Sequence, residues 1–390
     1  MITLALAGKP NCGKSTFFKA ATMAQVEIAN YPFTTIDANH GVAYVRTTCP
    51  CKELGIEGCT QCQDGVRFVP VAFIDVAGLV PDAHKGRGLG NQFLDNLRQA
   101  DAILHVVDAS GATDEEGNPV DPGSHDPRED IEFLGVEMTM WVHGILAKHW
   151  PRIRRQAQSK NYNIHDGVAD VLAGLGITYE DSLHAESELG IDLQRSEVED
   201  LVPFCELLLA KNKPVLFVAN KMDTADRALL ADLTEKGGIV SSAAAELALR
   251  MAAEGGFIHY IPGDPSFTIN EDANLSAQQR AGLEHLAALM AEHGGTGVQQ
   301  AIDRAVFELL DQIIVYPVED ERHFTDKQGR VLPDAFLMPK GSTPRDLAYQ
   351  VHTDIGEGFL YAVDARTDMR IKESTELKHG DIIKIVSTKK

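Results

Sequence analysis

Near the N-terminus, Gly8-Lys9-Pro10-Asn11-Cys12-Gly13-Lys14-Ser15 fits the spacing G-x-x-x-x-G-K-[ST] at every fixed position. Glycines there let the backbone curl so that successive amides aim at the β- and α-phosphates of a nucleotide, helped by the start of a helix. Lys14 would reach the β- and γ-phosphates, and the Ser15 hydroxyl is a Mg²⁺ ligand in waiting. Gly8, Asn11, Cys12, Gly13, Lys14, Ser15 and Thr16 are therefore the expected phosphate-binding set.

Base selection needs a different chemistry. Asn220-Lys221-Met222-Asp223 follows the apolar run 215–219, at the carboxyl end of a strand, where an open α/β sheet exposes its ligand crevice. The Asp223 carboxylate can accept from N1–H and the exocyclic amine of guanine, groups that adenine does not offer. The stem of Lys221 can lie on the base. Ser241-Ser242-Ala243 comes after a short strand, Ile239–Val240, and with Ser242 it is expected to present the Ala243 amide to guanine O6.

Two further segments read as γ-phosphate sensors. Asp75-Val76-Ala77-Gly78 ends an apolar run, so Asp75 would hold Mg²⁺ through water and the Gly78 amide would face the γ-phosphate. Asn30-Tyr31-Pro32-Phe33-Thr34-Thr35 precedes the strand beginning at Gly41, and Thr35, in preference to Thr34, is read as closing over Mg²⁺.

A separate cluster has another character. Cys49, Cys51, Cys59 and Cys62 lie close together between two strands, while Cys12 and Cys205 are isolated. Four thiolates from two short turns can complete a tetrahedral Zn²⁺ site that staples a long hairpin. Free or redox-sensitive thiols and a pair of disulfides are the other readings.

These residues require a parallel sheet beneath them. Ile2–Ala7, Phe68–Asp75, Ala102–Asp108 and Pro214–Asn220 are near-continuous apolar strands separated by helical stretches, the pattern of a sheet covered on both faces. The expected fold class is α/β: a doubly wound, mostly parallel P-loop sheet with a helical insertion, plus a small C-terminal β-grasp module. The expected divisions are 1–110 with 212–275 for nucleotide binding, 111–211 for the insertion, 276–312 for a helical connector and 313–390 for the β-grasp unit. In the insertion, a Gly/Asp/Pro-rich loop (111–127) precedes a helix with Ile131, Leu134, Met138, Trp141 and Ile145 on its apolar side. In the last unit, Ser342-Thr343-Pro344 signals a helix start.

The formal net charge is −21, from 57 acidic residues against 36 Lys and Arg, which argues against general nucleic-acid binding. Lys148–Arg155 is the one basic stretch, readable as a local patch or as a solvated helix face. The acidic balance also fits a salty cytoplasm. No run reaches the roughly 18 apolar residues of a membrane span. A cytoplasmic protein is the expectation.

Taken together, G-K-P-N-C-G-K-S-T, N-Y-P-F-T-T, D-V-A-G-L-V and the Gly-rich 86–94 resemble the Obg family of GTPases, most closely its YchF branch in an archaeal-type form. The C-terminal module resembles a TGS domain. This resemblance implies a monomer, GTP hydrolysis as a switch, association with the ribosome or ribosomal RNA, and catalytic roles for Lys14, Thr35, Gly78 and Asn11. Many members of the YchF branch have lost N-K-x-D and prefer ATP; this chain keeps it, so GTP is expected and ATP is the alternative. Leu79 stands where Ras-like enzymes place a water-orienting glutamine, which implies slow turnover resting on positioning and electrostatics. Asn11 matches the residue that helps hold K⁺ in related GTPases. His84 and Arg87 read as exposed loop residues before they read as γ-phosphate contacts. A nucleotide-responsive scaffold with little turnover also fits Leu79, and RNA binding through Lys340, Arg345 and Lys372 is a thinner reading.

Overall fold

The computed structural model describes residues 1–23, 39–76, 78, 96–159 and 162–389. Thr34, Thr35, Leu79, His84, Arg87 and the segment 86–94 lie outside them.

Three strands of near-pure apolar sequence form the centre of the main sheet. β1 (Thr3–Ala7) is flanked by β3 (Val66–Asp75) and β4 (Ala102–Asp108), all parallel. With β2 (His40–Thr48), β5 (Val215–Asn220) and β6 (Ile239–Val240), the order is β2-β3-β1-β4-β5-β6. Only β2 runs antiparallel, paired to β3 along its whole length. β4 is buried at every residue, as a strand covered on both faces must be.

The register decides where chemistry collects. Leu6 pairs with Asp75, Ala7 with His105, and Asp108 with Asn220. The carboxyl ends of β1, β3, β4 and β5 therefore meet along one rim. At that rim the chain leaves central β1 for the helix Lys14–Thr22, the kind of switch point at which open α/β sheets bind ligands.

One face of the sheet is covered by the insertion. Its long helix, Pro127–Ala157, is capped by Asp126 with Pro127 in the first turn and continues through Pro151. The buried stripe is Leu134, Met138, Val142, Leu146, Trp150 and Ile153, which packs with Ala5, Ala7 and Ile103 of the sheet. Trp141 and Ile145, expected on the apolar side, sit at the edge of that cluster. The basic stretch resolves into two faces: Trp150 and Ile153 are buried, while Lys148, His149, Arg152 and Arg155 are exposed.

Sequence reasoning missed a two-stranded ribbon, β7 (Ile258–His259) with β8 (Thr268–Ile269), whose strands are too short to show an alternation. The helices Ala277–His293 and Val298–Arg304 follow.

The C-terminal sheet has the order β10-β9-β13-β11-β12, built from β9 (Gln312–Val318), β10 (Phe336–Pro339), β11 (Phe359–Asp364), β12 (Met369–Ile371) and β13 (Ile382–Ser387). Parallel pairing of β9 with β13 and antiparallel pairing elsewhere make a β-grasp. The helix Pro344–Val351 starts with a reciprocal capping box between Thr343 and Asp346. Strand β12 was not expected. Val45, Val69, Val71, Tyr316, Val318, Leu332, Ala335 and Ile382 share one apolar cluster, so the two sheets are packed on each other.

Candidate functional site: a phosphate loop and base-selecting rim

The loop after β1 is shaped by residues in the left-handed region: Gly8 (φ 143°), Asn11 (φ 61°) and Gly13 (φ 100°). Glycine is required at two of these for space as well as for angle. A Cβ on Gly8 would lie 2.2 Å from the Val106 carbonyl oxygen, and one on Gly13 2.2 Å from Asn220 Nδ2. Gly13 also caps the helix Lys14–Thr22 and supplies no side-chain acceptor to it. The first-turn amides of that helix are thus left for an anion.

Lys14 is buried and its ammonium donates to the Lys9 carbonyl at 2.8 Å, which aims it across the loop. The Ser15 hydroxyl donates to Asp75 Oδ2 at 3.2 Å, joining the helix start to the end of β3. Burial raises the Asp75 carboxyl above its ordinary range, against the pull of Lys14 and Ser15. Among the described residues its buried Oδ1 has no partner. An unpartnered carboxylate oxygen beside a serine hydroxyl fits the donor set of a hard divalent cation. Gly78 abuts Pro10 of the loop, where a Cβ would come 3.0 Å from the proline ring.

Asn220 ties three motifs together. Its Nδ2 donates to the Cys12 carbonyl at 3.0 Å, and its Oδ1 accepts from the Ala243 amide at 3.0 Å and the Ser241 hydroxyl at 3.4 Å. The Ala243 amide, expected to face guanine O6, donates to Asn220 Oδ1 in this structure. Ser242 instead caps the helix Ala243–Glu254 by accepting from the Ala245 amide, and its own amide donates to Thr296 O. Cys12 contributes through its backbone; its thiol is fully buried and pushed up by burial. Thr16 lies half-buried in the helix.

Lys221 adopts φ 64° and its ammonium donates to Asp108 Oδ2 at 2.8 Å. Burial opposes ionisation of Asp108, yet the bonds from Lys221, Ser110 and Thr113 hold its carboxyl below the usual range. Met222 is buried and its amide donates to Ser241 O, fixing the turn that leaves Asp223 exposed at the rim.

The loop 111–127 also belongs to the site, which the sequence did not reveal. Asn11 Nδ2 donates to Gly117 O at 3.0 Å. Lys9, only 4% exposed, donates to Thr113 O at 2.8 Å and pairs with Asp130 at 2.7 Å. Asp130 in turn is bonded to His125 at 2.8 Å. The acid that closes the AILHVVD run was the one available hint of Asp108. Nothing local marked Lys9 or Asp130 as partners.

The cysteines are not part of this rim. They sit at the far end of the β2–β3 hairpin, where Thr48 pairs with Val66, whereas Asp75 ends the same strand at the rim. A ten-residue strand separates the two by roughly 30 Å.

Three family models match the chain. One described as a 50S ribosome-binding GTPase covers residues 3–131, an Obg-like GTPase YGR210-like, G4 motif-containing domain covers 218–320, and a TGS domain covers 321–387. The C-terminal sheet reaches further back than the last of these, since β9 starts at Gln312. An uncharacterised GTP-binding protein of Methanocaldococcus jannaschii is 48% identical over 399 residues, with 100% of both chains covered. The ribosome-binding ATPase YchF of Bacillus subtilis is 36% identical over 223 residues, 56% of each chain. A crystal structure of a GTP-binding protein from Pyrococcus horikoshii matches with TM-score 0.77 and 41% identity, over 99% of this chain and 100% of that one.

Proposed function

The chain belongs to the Obg family of P-loop GTPases, with a C-terminal TGS domain, and from that premise we propose that it is of the YchF branch and that it binds Mg²⁺–GTP and hydrolyses it slowly to GDP and phosphate as a conformational switch. The observation that carries the reading is the Asn220 side chain, which links the phosphate loop at Cys12 to the base-side loop at Ala243. A base contact and a phosphate contact can then be felt by one rigid unit.

In this reading Gly8, Asn11, Cys12, Gly13, Lys14, Ser15 and Thr16 hold the phosphates. Lys14 neutralises charge on the β–γ bridge, and the Gly78 amide donates to the γ-phosphate as charge develops there. Asp223 accepts from guanine, Lys221 lies along it, and Asn220, Ser242 and Ala243 hold the base loop in place. Ser15, Asp75 and Thr35 would hold Mg²⁺, which when bound neutralises the β- and γ-phosphate oxygens. K⁺ beside Asn11 would replace an arginine finger. Residues 1–110 with 212–275 form the nucleotide unit, with insertion 111–211, connector 276–312 and TGS unit 313–390. The names of relatives support the ribosome as partner. No described helix is long and apolar enough to cross a membrane, and a cytoplasmic monomer is the accompanying proposal.

The name of the Bacillus subtilis relative favours a second reading, an ATPase of the same fold. Competition binding of GTP, ATP and their diphosphates, in K⁺ and in Na⁺, separates them. Lys14→Ala should weaken both triphosphates by about a hundredfold, and Asp223→Asn should weaken GTP about as much while moving ATP less than about twofold. Unchanged triphosphate affinity in Lys14→Ala would refute the site. ATP outcompeting GTP in the unaltered protein would select the second reading.

A further inference from the structure

The four clustered cysteines are free, and Cys49 and Cys51 are buried under the C-terminal module. Their Sγ atoms all lie within 4.8 Å of one another, with Cys49–Cys59 at 3.9 Å and Cys51–Cys62 at 3.5 Å. Four sulfurs at about 2.3 Å from a central Zn²⁺ stand about 3.8 Å apart along each edge of the tetrahedron. Two disulfides would need only two close pairs; here all four converge. The backbone is built to hold them so. Cys49 caps the short helix Pro50–Glu53 and its amide donates to Gly65 O, while the Cys51 carbonyl accepts from Ile56. Gly55 and Gly58, both at positive φ, turn the chain back to bring Cys59 and Cys62 against the first pair.

What lies on the cluster is the TGS module. Cys49 and Cys51 share an apolar cluster with Tyr316, Val318, Leu332, Ala335 and Ile382. Around it, Glu53 pairs with Arg366 at 3.1 Å, and Thr47 Oγ1 is 3.0 Å from His379 Nε2. Buried Arg67 donates to Leu332 O at 3.0 Å and lies over the Tyr316 ring. Tyr316 is 1% exposed, and its hydroxyl has no partner among the described residues.

We propose that Cys49, Cys51, Cys59 and Cys62 bind one Zn²⁺ as thiolates, and that the loaded knuckle is the pad on which the TGS module docks onto the nucleotide domain. Binding replaces up to four S–H bonds by four Zn–S bonds and releases the protons to solvent, with no change of oxidation state. The site stands apart from the nucleotide rim and does not depend on the GTPase reading. Zinc here is structural: four protein ligands leave no open position for catalysis.

Two measurements on the full chain test this. Elemental analysis of protein purified without added metal should give about one zinc per chain, and the double variant Cys59→Ser/Cys62→Ser should lose it. Hydrogen exchange before and after chelation, with zinc restored as control, should show amides of 312–318 and 382–387 exchanging about tenfold faster without metal. GTP affinity should be unmoved, which separates this outcome from any failure of the nucleotide site. Iron in place of zinc, or no metal with four thiols reacting freely, overturns the site. Bound zinc whose removal leaves those strands equally protected overturns the docking role.

Discussion

Gly13 shows how one position can serve two motifs. Its φ of 100° costs an L-residue about 1–2 kcal/mol, and any Cβ there would press into the Asn220 amide. Asn220 cannot retreat without releasing Cys12 O or the Ala243 amide. Gly13→Ala is therefore expected to be destabilised by about 2–4 kcal/mol and, in the folded fraction, to lose guanine-nucleotide affinity by about a hundredfold or more. Titration with a fluorescent GTP analogue checks it, and affinity within about twofold of the parent would show that Asn220 is not wedged as described. The phosphate loop and N-K-x-D were legible because phosphate and base chemistry demand fixed residue types at short, contiguous spacings. The side-chain pairing of Lys221 with Asp108 was not, since its partners are distant in sequence and neither residue type announces the other. The bond from the Ala243 amide to Asn220 was hidden for the same reason: a tripeptide does not reveal a distant asparagine beside it.

At the scale of elements, the loop 111–127 and the helix after it hold the phosphate loop through two loop carbonyls, of Gly117 and Thr113, and one buried ion pair. Lys9 and Asp130 are each under a tenth exposed. Removing one partner of such a pair leaves a buried charge and costs about 3–5 kcal/mol, whereas removing both with similar volume can be nearly neutral. Asp130→Asn should therefore lower the urea midpoint markedly, and adding Lys9→Met should recover much of the loss. A double variant no more stable than the single would mean that the pair does not act as a unit. The strands were legible because continuous apolar runs can only be buried parallel strands. The insertion helix was found, but its buried stripe shifted to Val142, Leu146, Trp150 and Ile153, because packing against the sheet selected one of two overlapping apolar registers. The β7–β8 ribbon and β12 were lost to brevity: two or three residues carry no period.

Across the whole molecule, two groups with large shifts, His105 and Asp303, push stability against pH in opposite directions. His105 lies in the middle of the sheet, and burial, followed by Lys14 and Lys9, brings its imidazole down to about 3. The unfolded chain takes up that proton near 6.5, so between about 6.5 and 3 the unfolded state binds more protons and stability falls as pH falls, by at most about 1.4 kcal/mol per pH unit. Asp303 accepts from the Arg46 amide and from Gln299. Desolvation raises its carboxyl to about 7, outweighing those bonds and the charge of Arg46. Its native form keeps a proton that the unfolded chain releases above about 4, so its contribution is present at low pH and is lost as pH rises toward 7. The intact protein should change little in stability between about pH 4.5 and 6.5, because the two slopes subtract. Asp303→Asn should unmask the histidine, giving a urea midpoint that rises with pH through this range. His105→Leu should unmask the aspartate, giving one that falls as pH rises. Midpoints measured at several pH values decide it: if both variants slope the same way, His105 and Asp303 are not the groups that shape the curve.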